Sequence, residues 1–288
     1  MNRRKPFRPV VVNTLAVLGT ILVVVGFVFV LIRFRPARPE SFQPVAETPL
    51  STPQDFEPAP GLQEPALPQP GLVAYYPFDG DARDRSGNGN HGIVYGAQFA
   101  DDRFANPKHA YQFDGLESFM DLGTSRTLKM TDGLTISVWV RAETFDPMYQ
   151  NIISDHADNE LAVGPGKILR LYYNELQFHV GGVFGVDTAV YAAHVFDPSA
   201  LGLWQHFVGT YDRHTASLFV NGRKVASVSF SEPLSVNENP LLVGSSGFGE
   251  FFRGGIDDLL IYNCAVPEDQ IMKLYEGSIE EVGCETPP

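Results

Sequence analysis

AYQFDGLESFMDLG, residues 110–123, is a short apolar strand, an acidic glycine turn and a second strand that ends on Leu122-Gly123. Asp114-Gly115 supplies the turn chemistry, because Asp bonds its own backbone and Gly accepts conformations closed to other residues. The same texture continues on both sides of it. Segments 72–78, 118–122, 134–141, 150–154, 168–173, 175–180, 206–212, 217–220, 223–228, 241–244 and 255–262 are rich in Val, Ile, Phe, Tyr and Thr and are separated by Gly, Asn, Asp or Pro. Strands recurring at this spacing predict an all-β sandwich.

Two boundaries are legible in detail. Asn221-Gly222 joins two strand patterns and suits a type I′ hairpin, which needs positive φ at both central positions. Residues 267–276 open on Pro267 and acids and stop at Gly277, which predicts the one helix of the domain.

The chain has 288 residues, enough for one folded domain of about 200 residues after a non-globular start. Residues 1–39 hold seven Lys or Arg and no acid, whereas the whole chain has 21 basic and 34 acidic residues. The folded part is therefore strongly acidic. That argues against nucleic acid and anionic head groups as partners and leaves cations, neutral polymers or basic proteins.

Residues 1–9 form a basic N-terminus. Residues 10–32, VVVNTLAVLGTILVVVGFVFVLI, are 23 in number and carry no charge. As a helix they reach about 35 Å and span a bilayer. A cleaved signal peptide has a shorter apolar region and a small-residue cleavage site, whereas this run ends in Arg33-Phe34-Arg35-Pro36. The expectation is a single-pass anchor with the N-terminus in the cytoplasm and the domain outside. Residues 33–70 follow as a linker, with ten prolines between Pro36 and Pro70. Such composition is an extended spacer rather than a fold.

The segments LVAYYPFDGDARDRSGNGNHG (72–92), AYQFDGLESFMDLG (110–123), LTISVWVRAE (134–143), WQHFVGTYD (204–212), SLFVNGRKVAS (217–227) and GGIDDLLIYNCAVPEDQIMKLYEG (254–277) together resemble the LamG-like jelly-roll family, within the concanavalin A-like lectin/glucanase superfamily. The resemblance covers about 72–277, within a domain placed at 71–277. It implies two antiparallel sheets with the first and last strands side by side. It also implies a structural Ca²⁺ near that seam, with Asp79, Asp84 and Asp257 as ligands and backbone carbonyls of residues 86–92 completing the shell.

From the residues themselves, Asp257 shares its strand face with Leu259 and Ile261 under period-two alternation, so a core-facing Leu259 implies a buried carboxylate. The alternative is that Asp79 and Asp84 cap turns and Asp257 bonds amides. The loop Ser86-Gly-Asn-Gly-Asn-His-Gly92 lacks the Lys and helix of a phosphate cradle and reads as a turn.

Asp155-His-Ala-Asp-Asn-Glu160 is a second acidic cluster, either a cation site, half of a hydrolytic pair, or a solvated loop. The Glu-x-Asp-x-x-Glu pattern of the superfamily's glucanases is absent, and His179, His194, His206 and His214 have no sequence-adjacent partner that would make them catalytic. Tyr149, Tyr172, Tyr173, Phe184, Tyr191, Phe248, Phe251 and Phe252 fall near strand ends, where sugar-stacking platforms would sit, and Phe248, Phe251 and Phe252 are the candidate ligand contacts. Cys264 and Cys284, the only cysteines, read as a disulfide pinning the 278–288 tail, with an unlinked surface thiol or an intermolecular bridge as the alternative. The resulting expectation is a non-catalytic module that binds a glycan or an extracellular protein, with a carbohydrate-active enzyme or an adhesive scaffold as alternatives.

Overall fold

The computed structural model describes residues 69–146, 148–155, 166–181, 190–229, 234, 236–246 and 249–284, together with Val24–Val25 and Val28–Phe29. The chain divides into two units, Met1–Gly61 and Leu62–Pro288. In the first, β1 (Val24–Val25) pairs antiparallel with β2 (Val28–Phe29). At these four positions the backbone is extended, in contrast to the expected helix, in keeping with the β preference of Val and Phe. The other residues of the 10–32 run lie outside the described ones. No helix among the described residues is long and apolar enough to cross a membrane.

The second unit holds β3 (Leu72–Tyr76), β4 (Ile93–Tyr95), β5 (Gln98–Ala100), β6 (Ala110–Asp114), β7 (Phe119–Asp121), β8 (Leu134–Ala142), β9 (Tyr149–Ser154), β10 (Lys167–Tyr172), β11 (Glu175–Val180), β12 (Val190–Val195), β13 (Gln205–Tyr211), β14 (Thr215–Val220), β15 (Arg223–Ser229), β16 (Leu242–Val243), β17 (Arg253–Tyr262) and the helix α1 (Glu268–Glu276). They form a seven-stranded sheet, β12-β11-β10-β9-β16-β7-β4, and an eight-stranded sheet, β15-β14-β13-β8-β17-β6-β5, in which β3 also pairs with β17. All pairings between these strands are antiparallel, as a jelly-roll sandwich requires.

Between the sheets, Phe113, Val138, Leu169, Phe178, Phe207 and Ile256 belong to one buried apolar cluster. A second cluster, with Val208, Phe219, Leu260 and Tyr262, packs against Ile271 and Leu274 of α1 on the outer side of the larger sheet. The helix stops where Gly277 turns left-handed at φ 81°, a conformation that glycine adopts without a Cβ penalty. The hairpin at Asn221 and Gly222 has φ 50° and 76°, the expected type I′ signs.

AYQFDGLESFMDLG forms β6 and β7, one strand in each sheet. Asp114 Oδ1 accepts from the amides of Leu116 (2.8 Å), Glu117 (3.1 Å) and Ser118 (3.0 Å), which builds the turn that carries the chain from one sheet to the other. Burial opposes the Asp114 charge, but these bonds win and hold its carboxyl far below its ordinary value.

Strand β17 is the last strand and is the axis of the larger sheet. Its first residues pair with β6 and its last with β3, while β8 runs along its other side with a register shift between Asp257 and Leu260. Asp258 sits in that shift with φ 42°. This is a bulge, and it breaks the alternation expected around Asp257. Asp257 pairs with Trp139 and shares its side of the sheet, away from the intersheet core that Leu259 and Ile261 enter.

Candidate functional site

The three expected calcium ligands separate into three local roles. Asp84 is buried, and its carboxylate accepts from the amides of Tyr75 (3.0 Å), Ser86 (2.8 Å) and Asn90 (2.9 Å). Asn88 and Asn90 donate their side-chain amides to the carbonyl of Val73, each at 3.0 Å, and Ser86 Oγ donates to the same carbonyl. The 86–92 loop therefore turns donors toward Asp84 and covers the free edge of β3. A cation shell would need carbonyl oxygens there.

Asp79 is exposed and pairs with His109 at 2.5 Å. Asp257 is 2 % exposed and lies 3.0 Å from Arg103 Nη1, which also contacts Asp258 at 2.6 Å. Among the described residues no group of three or more His, Cys, Asp or Glu is placed to hold a metal. These residues do not fit the calcium site that the resemblance implied.

The proposed aromatic contacts need correction. Phe252 is fully buried in the intersheet core, edge-on to Phe113 at 6.4 Å, and cannot meet a ligand. Phe251 is half-buried beside it, and Phe248 lies outside the described residues. Asp155 is buried against Lys167, an ion pair internal to the sheet, and residues 156–160 lie outside the described set. Cys264 and Cys284 are joined in a disulfide.

The stronger site is the side of the seven-stranded sheet that faces away from the core. Cross-strand register sets Asn151, Arg170 and Gln177 in one row over β9, β10 and β11, and Tyr149, Tyr172 and Glu175 in the next. Leu169, Leu171, Leu176 and Phe178 alternate with them and face the core. Rows of this kind follow directly from period-two geometry.

The polar side chains are connected. Arg170 Nε donates to Gln177 Oε1 at 3.1 Å, and His179 Nε2 lies 2.9 Å from the same oxygen. Asn151 Nδ2 donates to Glu250 Oε2 at 2.6 Å. Asn151 Oδ1 is fully buried and has no hydrogen-bond partner among the described residues.

At the end of this surface, the rings of Tyr149 and Tyr172 are 5.0 Å apart, Tyr172 meets Tyr173 at 5.0 Å, and the Arg170 guanidinium lies 4.9 Å from the Tyr149 ring centre. Burial first, and Tyr172 second, raise the Tyr149 phenol above its ordinary pKa, so it is a neutral donor and stacking surface. Three part-exposed tyrosines beside a hydrogen-bonded polar floor can stack on a sugar ring and bond its hydroxyls. The alternation of polar residues in KILRLY and ELQFHV was the sequence clue to this surface.

A family profile described as the concanavalin A-like lectin/glucanases superfamily (Laminin_G_3) matches residues 114–272, more than half of the chain. No curated protein sequence matches it significantly. Among solved structures, the binding domain of Paraclostridial Mosquitocidal Protein 1 superposes with a TM-score of 0.60 at 19 % identity, over 73 % of this chain and 52 % of that one. Domain 4 of AbnA, a GH43 extracellular arabinanase from Geobacillus stearothermophilus, in complex with arabinotriose, gives 0.52 at 20 % identity, over 72 % and 99 %. The binding domain of Botulinum neurotoxin DC in complex with rat synaptotagmin II gives 0.56 at 14 % identity, over 72 % and 51 %. The chain spans about half the length of these toxin binding domains. At such identities the likeness is one of fold.

Proposed function

Because the chain belongs to the Laminin_G_3 family of the concanavalin A-like lectin/glucanases superfamily, we propose that its folded domain is a non-catalytic binding module that takes a neutral glycan against the Tyr149–Tyr172–Tyr173 row beside Arg170. The carrying observation is the row of part-exposed rings, Tyr149, Tyr172 and Tyr173, with the Arg170 guanidinium 4.9 Å from the Tyr149 ring centre. The acidic balance of the folded part disfavours anionic polymers and is compatible with neutral ones. Solved structures of the same fold include one holding arabinotriose, which supports the choice of a glycan.

A glycosidase on the same sandwich is less well supported. The carboxylates that bond this surface, Glu250 and Glu175, are tied to the amides of Asn151 and Gln177. Those two residues lie two strands apart. Arg170 stands between them.

The reading includes delivery of the domain outside the cytoplasm by a single N-terminal anchor. The uncharged run 10–32 and the disulfide between Cys264 and Cys284 support that placement. Calcium is not included, because the residues expected to bind it are otherwise engaged.

The test is an array of neutral oligosaccharides, arabinotriose among them, probed with the full chain in detergent and with Tyr149→Ala and Tyr172→Ala. The expected result is binding that falls about tenfold with either substitution, as loss of a stacking ring predicts. Uniform silence, or binding that ignores both substitutions, would overturn the reading in favour of a protein partner.

A further inference from the structure

The seam of the first and last strands carries a cation after all, and it comes from the chain. Arg103 reaches out of the 101–109 loop to Asp258 Oδ2 at 2.6 Å and Asp257 Oδ2 at 3.0 Å, with a side chain only 13 % exposed. Its guanidinium also lies 4.5 Å from the Trp139 ring centre and 4.4 Å from that of Phe104. The loop is set for this reach, because Asp102 accepts from the amides of Phe104 and Asn106, each at 2.8 Å, and from the Asn106 side chain at 2.9 Å.

The remaining carboxylate oxygens are engaged as well. Asp257 Oδ1 accepts from the Asp258 amide at 2.8 Å, and Asp258 Oδ1 accepts from the Tyr75 hydroxyl at 3.4 Å. One guanidinium thus connects the β5–β6 loop, β8 and the bulge of β17, with Tyr75 of β3 on its far side.

We propose that Arg103 is the built-in cation of this domain, supplying the positive charge that joins the strand seam, so that neither the fold nor the binding surface depends on a divalent metal. A guanidinium has a rigid fork of donors and stays charged at any physiological pH. A hard cation would need about six to eight free oxygens, and here each oxygen of the acid pair already has a donor. Two carboxyl groups share one guanidinium, with Tyr75 and the Trp139 ring packed around them. The inference is independent of which ligand the opposite sheet takes.

Thermal melts of the full chain in detergent, followed by circular dichroism, test it. The wild type should melt at the same temperature in millimolar calcium chloride and in EDTA. Arg103→Ala should melt roughly 10 °C lower in both, the shift expected when a buried charge pair loses one partner in a domain of this size. The triple variant Arg103→Ala/Asp257→Asn/Asp258→Asn should regain at least half of that loss, because no unpaired charge remains. If Arg103→Ala alone does not fold, a folded triple variant supports the proposal and an unfolded one overturns it. A wild type stabilised by calcium, an Arg103→Ala variant that melts like the wild type, or a triple variant no better than the single one would each overturn it.

Discussion

Two polar surfaces lie on the outer sides of the two sheets, and they are built to opposite ends. On the larger sheet, Arg103, Asp257, Asp258, Tyr75 and Trp139 pack against one another beside α1, and each oxygen of the acid pair has a donor from within the chain. On the smaller sheet, Arg170 bonds Gln177 and lies over the Tyr149 ring, Asn151 bonds Glu250, and three tyrosines remain part-exposed. The contrast teaches that polar residues on a sheet's outer side hold the fold together when closed by their own neighbours and offer recognition when left open.

The sharpest way to break the comparison is to remove the charge at each centre. Arg103→Ala should cost about 3–5 kcal/mol by leaving the buried acid pair without its cation, whereas Arg170→Ala should stay within about 1 kcal/mol in a chemical denaturation series. Equal losses would mean that both surfaces are structural.

Reduction of the Cys264–Cys284 bond should cost about 3 kcal/mol, from the chain entropy of a loop closed across 20 positions. It should leave glycan binding intact, because the tail lies with the larger sheet. Loss of binding on reduction would erase the division between the two surfaces.

Acidity separates them further. Burial first, and Asp258 second, push Asp257 up to about 8. Burial, then Arg103, push His206 down to about 3. The folded state holds the Asp257 proton longer than the unfolded chain does, so this group's contribution to stability falls as pH rises from about 4 to about 8. His206 acts in reverse, since the unfolded chain takes up its proton first, and its contribution rises between about 3 and 6.5. The melting temperature should therefore fall between pH 6.5 and 8 in the wild type and remain level in Asp257→Asn. A wild type that is level across that window would mean that the fold does not retain the Asp257 proton.

The smallest expected effect on stability is that of Tyr172→Ala, within about 1 kcal/mol, set against a roughly tenfold loss of glycan affinity. A large stability loss there would make the tyrosine row part of the core rather than a platform.

Much of the sandwich was legible because its turns are written locally. Asp114-Gly115, Asn221-Gly222 and Gly277 each demand a particular backbone, and the long strands carry their own apolar pattern. Strands β4 and β5, three residues each at the sheet edges, and β12 with its Ala-Ala-His centre have too little pattern to be seen.

The acid pair was legible as buried, but its partner was not. Arg103 precedes Asp257 by 154 positions, and the bulge that turns Asp257 away from the core has no glycine to announce it. Phe252 illustrates the reverse error, since an aromatic beside a glycine-rich loop looks like a platform until its core neighbours are known.

The beginning and the end of the folded unit meet. The amide of Cys284 donates to the carbonyl of Pro70 at 2.8 Å, and the amide of Asn263 donates to that of Gly71 at 2.9 Å. A domain whose entry and exit are adjacent can be spliced into a surface loop of another protein without stretching its host. It can also be strung in tandem copies. This fold is in that sense a portable cassette, transferable whole with its own lock.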